Sequence, residues 1–110
     1  MIALILVAAT FDEGVALKKQ EKFVEAEAVF AQLVREDPQN VKALAQQATL
    51  LSWLGKFDAA LAAWRRAVEL EPDEPDYSVA LSRVQYWKGD LGEARTRLDT
   101  LLRELKEAAL

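Results

Sequence analysis

Apolar residues fall at helical spacing along most of this 110-residue chain. Leu44, Ala48 and Leu51 are three or four positions apart, so they share one face of a helix. Ala60 and Trp64 belong to a second stripe of the same kind. Polar and charged residues fill the positions between them, as on a solvent-exposed helix face. The pattern predicts two amphipathic helices in succession in this part of the chain.

Turn-forming residues mark the ends of these predicted helices. Asn40 stands where an N-cap is needed, and Gly55 ends the first helix. The partner helix begins at about Phe57 and ends at Pro72, because proline disfavours α geometry in the residue before it. Pro75 opens the next helix, where its missing N–H costs nothing.

The pattern repeats with a period of 34 residues, seen first in Ala26, Ala60 and Ala94. Other positions that superpose are the bulky Phe30, Trp64 and Leu98, the prolines Pro38 and Pro72, the glycines Gly55 and Gly89, and the tryptophans Trp53 and Trp87. Two helices that cross closely need a small side chain at the contact, and a bulky residue one turn later fills the space beside it. We therefore expect Ala60 and Trp64 in the core.

This 34-residue unit resembles the tetratricopeptide repeat (TPR). The resemblance implies an all-α, right-handed solenoid of helical hairpins with about six antiparallel helices, forming one domain over residues 1–110. The implied units are 7–40, 41–74 and 75–106, after an apolar extension at 1–6. The small position of each first helix is occupied by Gly14, Ala48 and Ser82. Thr10, Leu44 and Ser78 replace a tryptophan that is frequent in the family, and Lys106 replaces the third closing proline.

The composition argues against catalysis and against nucleic acid as a partner. The chain has no cysteine and no histidine, so disulfides, thiolate ligands, the commonest general base and the commonest metal ligand are all missing. Ser52, Ser78 and Ser82 therefore lack a histidine that could activate them. A net charge of −4 disfavours a phosphate backbone as the main partner. We expect no enzymatic activity, no metal and no cofactor.

An acidic run straddles the junction between the second and third units. It consists of Glu69, Glu71, Asp73, Glu74 and Asp76. One interpretation is a site for a cation or a basic partner. The interpretation we favour is a solvated turn whose acids lie near the N-terminus of the next helix.

The resemblance also places a ligand groove on the concave side, which the first helix of each unit lines. The candidate groove residues are Phe11, Val15, Lys18, Lys19, Thr49, Ser52, Trp53, Arg83, Tyr86 and Trp87. The positions that carry lysines, asparagines and an arginine in the carboxylate clamp, which holds chaperone tails, are occupied by other residues, and this excludes that class of ligand. Those residues are Phe11, Val15, Gln46, Asp76 and Ala80. Trp53, Tyr86 and Trp87 are the candidate anchors. Trp53 and Trp87 each precede a turn glycine, so packing against the neighbouring unit is an equal alternative.

The first nine residues, MIALILVAA, carry no charged side chain and are too short to cross a bilayer, which takes about 20 residues. They can extend the first helix, derive from an export signal, or act as an adhesive arm. We expect self-association, as a homodimer or larger assembly, through an apolar set. That set is Met1, Ile2, Leu4, Ile5 and Leu6. An export signal would imply the periplasm, and otherwise the cytoplasm is expected; no membrane insertion is expected.

The leading functional hypothesis is a protein-interaction module, an adaptor or scaffold that binds a peptide or helix in an apolar and aromatic groove. The alternative is a carbohydrate-binding domain of a bacterial envelope or polysaccharide-export system. It rests on the W-x-G pattern at Trp53–Gly55 and Trp87–Gly89, which is similar to periplasmic repeat domains of such systems. A third possibility is a piece of a longer repeat array without a role of its own.

Overall fold

The structure, a computed structural model, describes residues 9–109, with the side chains of residues 90–94 left out. The helices are α1 (Phe11–Lys19), α2 (Phe23–Glu36), α3 (Val41–Trp53), α4 (Phe57–Leu70) and α5 (Pro75–Ala108). The described residues include no β-strand. Each helix packs mainly against its neighbours in sequence, in a body with extents of 72 × 42 × 21 Å. The all-α helical-repeat fold expected from the sequence is confirmed.

Side chains cap the N-termini of α1 and α3. The Asn40 side chain accepts a hydrogen bond of 3.1 Å from the Ala43 N–H at the start of α3. Thr10 accepts a bond of 3.2 Å from the Glu13 N–H at the start of α1. Pro75 occupies the first turn of α5. The predicted N-cap at Asn40 and the opening proline are therefore confirmed.

The two hairpin turns repeat the same geometry at the same sequence interval. Glu21 between α1 and α2 has φ of 59°, and Gly55 between α3 and α4 has φ of 76°. Their backbone N–H groups donate to Lys18 and Ser52 respectively, each over 3.0 Å. The left-handed conformation costs glycine little, whereas a residue with a Cβ pays roughly 1–2 kcal/mol. The 34-residue sequence period is thus a period of backbone geometry as well.

The alanine and bulky positions form the core of the first two units. Ala26, Ala60 and Phe30 are fully buried, and Trp64 is 7% exposed. The Phe30 ring covers Gly14 so closely that a Cβ there would lie 2.6 Å from the ring Cζ. The first hairpin is therefore closed by a bulky side chain of its second helix packed onto a small residue of its first. Ala48 and Trp64, the equivalent pair of the second hairpin, belong to one buried cluster. The core assignments of Ala60 and Trp64 are confirmed.

The third unit departs from the prediction. Helix α5 is continuous through Gly89, where a turn was expected, so the described chain has five helices and not about six. Leu98, the counterpart of Phe30 and Trp64, is 56% exposed, and Ser82 is exposed as well. A glycine permits a left-handed turn but does not impose one.

The predicted self-association segment, Met1 to Leu6, lies outside the described residues. No helix within residues 9–109 is long and apolar enough to cross a membrane. The unit boundaries proposed from the sequence remain predictions.

Candidate functional site

Trp53, the last residue of α3, contacts side chains of α1 and α2. Its ring meets the Phe23 ring edge-on, with centroids 5.3 Å apart and planes at 69°. The Lys18 ammonium lies 5.0 Å from its centroid, a distance that allows a cation–π interaction. The side chain nevertheless remains 51% exposed. Trp53 is thus held in place by α1 and α2 while half of its surface is open to a ligand.

One cleft runs between α1 and α3, and we call it the α1–α3 cleft. It has a volume of about 340 Å³. Its lining residues are Val15, Lys18, Lys19, Glu21, Phe23 and Trp53. The Lys18 ammonium also donates a hydrogen bond of 2.9 Å to the side-chain carbonyl of Gln46 on α3. This bond orients a cation beside the apolar wall that Val15 and Phe23 provide.

A second and smaller depression, the α3–α5 cleft, lies on the other side of Trp53. Its volume is about 50 Å³, and it is lined by Thr49, Ser52, Trp53, Trp64, Ala80, Arg83, Val84 and Trp87. Trp64 and Val84 are the most buried aromatic and aliphatic members of this lining, at 7% and 2% exposure. Trp87 is 37% exposed, and Arg83 is also exposed. The cleft therefore combines apolar contact surface with one guanidinium.

The hydroxyl groups of this cleft are already engaged by their own helix. The Ser52 hydroxyl donates to the Ala48 carbonyl over 3.0 Å, and the Thr49 hydroxyl donates to the Ala45 carbonyl over 2.9 Å. Both bonds reach back one helical turn, a common arrangement for these residues inside helices. The polar character of the α3–α5 cleft is therefore carried mainly by Arg83.

Eight of the ten residues predicted for the groove line the two clefts, which share Trp53. They are Val15, Lys18, Lys19, Thr49, Ser52, Trp53, Arg83 and Trp87. Phe11 instead packs edge-on against Phe30, with centroids 5.2 Å apart, and so supports the core. Tyr86 is 68% exposed and lines neither cleft. It precedes Trp87, and successive residues of a helix point about 100° apart.

Sequence reasoning overlooked two parts of this surface. Phe23 on α2 forms a wall of the α1–α3 cleft, although its repeat position assigns it to a second helix. Trp64 and Val84 line the α3–α5 cleft as well as belonging to the core. Phe23 meets Trp53 across the junction of two units, so no pattern within one unit could have paired them.

The acidic junction adjoins the start of α5. The Glu74 side chain caps this helix by accepting a bond of 3.3 Å from the Asp76 N–H. Burial raises the pKa of Tyr77, and the neighbouring carboxylates of Glu71, Glu74 and Asp76 raise it further. Within residues 9–109, no three potential metal ligands form a group that could hold an ion. The capping role of Glu74 agrees with the interpretation of the run as a solvated turn.

A comparison of the sequence with models of protein families found a match. A model of the tetratricopeptide repeat matches residues 17–78 and, overlapping with them, residues 54–110. Among solved structures, the chain is similar to a mutant of MamA, with a TM-score of 0.65 and 22% sequence identity. That similarity covers 78% of this chain and 63% of MamA, so the chain spans less than two thirds of its length. At this identity the likeness demonstrates the fold alone.

The search of curated protein sequences found no match. The two segments matched by the family model together run from residue 17 to residue 110, which is most of the chain. Proteins built from this repeat are typically non-enzymatic modules that bind other proteins. The chain belongs to the tetratricopeptide repeat family.

Proposed function

We propose that this protein is a non-enzymatic interaction module that binds a peptide or helix of a partner protein across the groove formed by α1, α3 and α5. The observation that carries the proposal is the position of Trp53. It lines both clefts, contacts Phe23 and Lys18, and remains half exposed. An aromatic residue that is fixed before binding loses little conformational entropy when a ligand covers it.

The lining indicates the chemistry of the ligand. Both clefts contain apolar and aromatic surface. The charged groups are Lys18, Lys19 and Glu21 at one end and Arg83 at the other, so cations outnumber anions. An apolar side chain would contact Trp53 and Trp87, while an acidic residue on either side would meet these cations. The small volume of the α3–α5 cleft favours an aliphatic side chain over a large aromatic one. The proposed ligand is therefore an apolar segment that carries an occasional acidic residue.

Trp87→Ala and Tyr86→Ala form a matched pair that tests the groove. The two aromatic residues are adjacent in α5, but Trp87 lines a cleft and Tyr86 does not. Against an array of apolar peptides bearing one or two acids, we expect Trp87→Ala and Trp53→Ala to weaken binding by about tenfold or more, as at interface hot spots. Tyr86→Ala should change it less than about threefold. Equal losses at positions 86 and 87 would contradict the groove assignment.

The same titrations separate this proposal from the carbohydrate alternative. Tryptophan fluorescence reports on ligands of either class, because Trp53 and Trp87 line the groove and are partly exposed. A saturable response to neutral oligosaccharides, with no response to the peptides, would favour the envelope alternative. Binding of acidic apolar peptides that weakens with added salt would support the protein module, because Lys18 and Arg83 would contribute to it.

Self-association through Met1, Ile2, Leu4, Ile5 and Leu6 remains a separate part of the proposal. It is tested by light scattering on the full chain and on a chain that lacks residues 1–9. A lower assembly state in the shortened chain is the expected result. Identical masses for the two chains would contradict self-association through these residues and would leave the proposed groove unaffected.

A further inference from the structure

The second half of α5 carries an apolar stripe that nothing in the described chain covers. Leu98, Leu101, Leu102 and Leu105 follow one another at intervals of three, one and three residues, which places them on one face of the helix. Their exposed fractions lie between 55% and 68%. Four leucines so exposed within eight residues form a contiguous patch, whereas single exposed apolar residues are ordinary.

This stripe continues a seam that is buried in the first half of the same helix. Leu98 and Leu105 stand 14 and 21 residues after Val84, and Leu101 stands 14 residues after Trp87. Val84 is 2% exposed, since it packs against the cluster formed by α3 and α4. A spacing in multiples of seven keeps apolar residues on one side of a helix, as in a coiled coil. Helix α5 therefore has one apolar seam whose first part is covered within the chain and whose second part is not.

We propose that the leucine stripe of a second copy covers this part of the seam, with the two α5 helices antiparallel. The charges beside the stripe favour this orientation. Arg97 and Glu104 each immediately precede a seam leucine, so they flank the seam on the same side of the helix. If Leu98 faces Leu101 of the second copy, antiparallel packing brings Arg97 beside Glu104 of that copy, and the two-fold symmetry forms this ion pair twice. A parallel pairing would instead bring Arg97 towards Leu102 of the second copy, without an opposite charge. The second copy is thus the occupant whose charges complement the stripe.

The pairing leaves the body of the molecule and the groove clear. The paired segment, residues 94–105 when Leu98 faces Leu101, lies beyond Lys88, which forms an ion pair with Asp58 on α4. It would extend for roughly 20 Å at 1.5 Å per residue. Arg97 and Glu104 are two turns apart in one helix, about 10 Å, which is too far for an ion pair within the same chain. An ion pair between Arg97 and Glu104 can therefore form only between two molecules.

Charge exchange at positions 97 and 104 tests the proposal on the full chain. Light scattering over a concentration series should show the mass rising from the 12.3 kDa of one chain to at least twice that value. Arg97→Glu and Glu104→Arg should each raise the dissociation constant of the dimer by about tenfold or more, because each places like charges opposite one another twice. The double variant R97E/E104R restores opposite charges and should return the constant to within about threefold of the native value.

Arg103→Glu is the matched control, since it makes the same charge change on the opposite side of the helix and should leave the dissociation constant nearly unchanged. Circular dichroism on every variant verifies that the helices are intact. A native chain that stays monomeric at all concentrations would overturn the proposal, as would a double variant that fails to restore the dimer. So would a dimer that is lost on removal of residues 1–9 and is insensitive to the charges at 97 and 104, because the apolar N-terminal segment would then hold it together.

Discussion

The second unit and the last part of α5 share one sequence pattern and differ in structure. Trp64 and Leu98 are 34 residues apart at equivalent positions, yet Trp64 is 7% exposed and Leu98 is 56% exposed. Gly55 forms a turn with φ of 76°, whereas Gly89 lies within a continuous helix. The repeated sequence pattern therefore specifies a helix with one apolar face. Whether that face becomes buried depends on which other helices pack against it.

The neighbours of each element account for the difference. Helix α4 packs against α3 on one side and α5 on the other, so both sides of its apolar stripe are covered. The first half of α5 likewise packs through Tyr77, Ala80, Leu81 and Val84 against the cluster of the second unit. In the second half, Leu98, Leu101, Leu102 and Leu105 are exposed. Continuing the helix retains the backbone hydrogen bonds and needs no turn.

The largest expected change in stability comes from truncating the bulky residue of the second unit, and the equivalent residue of the third unit provides the comparison. Trp64→Ala should lower the free energy of unfolding by about 3–5 kcal/mol, because it empties a packed site. Leu98→Ala should lower it by less than about 0.5 kcal/mol, since the residue is exposed and alanine favours helix. Urea denaturation at low protein concentration measures both. Comparable losses would mean that residue 98 is buried as residue 64 is.

A substitution at the alanine position probes how tightly the second unit is packed. Ala60 is fully buried between helices, so Ala60→Leu should overpack the core and cost about 1–3 kcal/mol. Thermal unfolding followed by circular dichroism gives the change. Ala62→Leu serves as its control, because Ala62 is an exposed position of the same helix. An unchanged melting temperature for Ala60→Leu would contradict the close helix crossing.

The two glycines provide a test in which the expected effects have opposite signs. Gly55→Ala should destabilise the protein by about 1–2 kcal/mol, because alanine is strained at positive φ. Gly89→Ala should stabilise α5 by up to about 1 kcal/mol, because alanine is the better helix former and no atom lies within 4 Å of the added Cβ. Helicity and the unfolding midpoint measure both. A destabilising Gly89→Ala would indicate a turn at residue 89 in place of the continuous helix.

The smallest expected effect concerns pH and the docked half of α5. Burial and nearby carboxylates raise the pKa of Tyr77, so its neutral form is favoured in the folded state. The resulting contribution to stability is complete below the ordinary tyrosine pKa near 10 and is lost as the pH rises from there through the folded value. Tyr77→Phe should therefore lose less stability than the native chain between pH 9 and about 11. If the free energy of unfolding falls equally with pH in both proteins over this range, the raised pKa of Tyr77 is contradicted.

Much of the groove could be predicted because repeat positions determine which helix face a residue occupies. Lys18, Thr49, Arg83 and Trp87 follow from that register, and each lines a cleft. The repeat positions do not specify the contacts between units. The position of Phe23 under Trp53 depends on how α2 packs beside α3, which no single repeat specifies.

The sequence alone determined the helical repeat, its period, the N-cap at Asn40 and the apolar face of each helix, because these depend on interactions a few residues apart. Asn40, Ala60 and Trp64 are examples whose roles follow from spacing and side-chain type. Only the tertiary structure decided that α5 continues through Gly89 and leaves Leu98 exposed. Glycine allows both a turn and a helix, so the outcome depends on the packing partners that the rest of the fold provides.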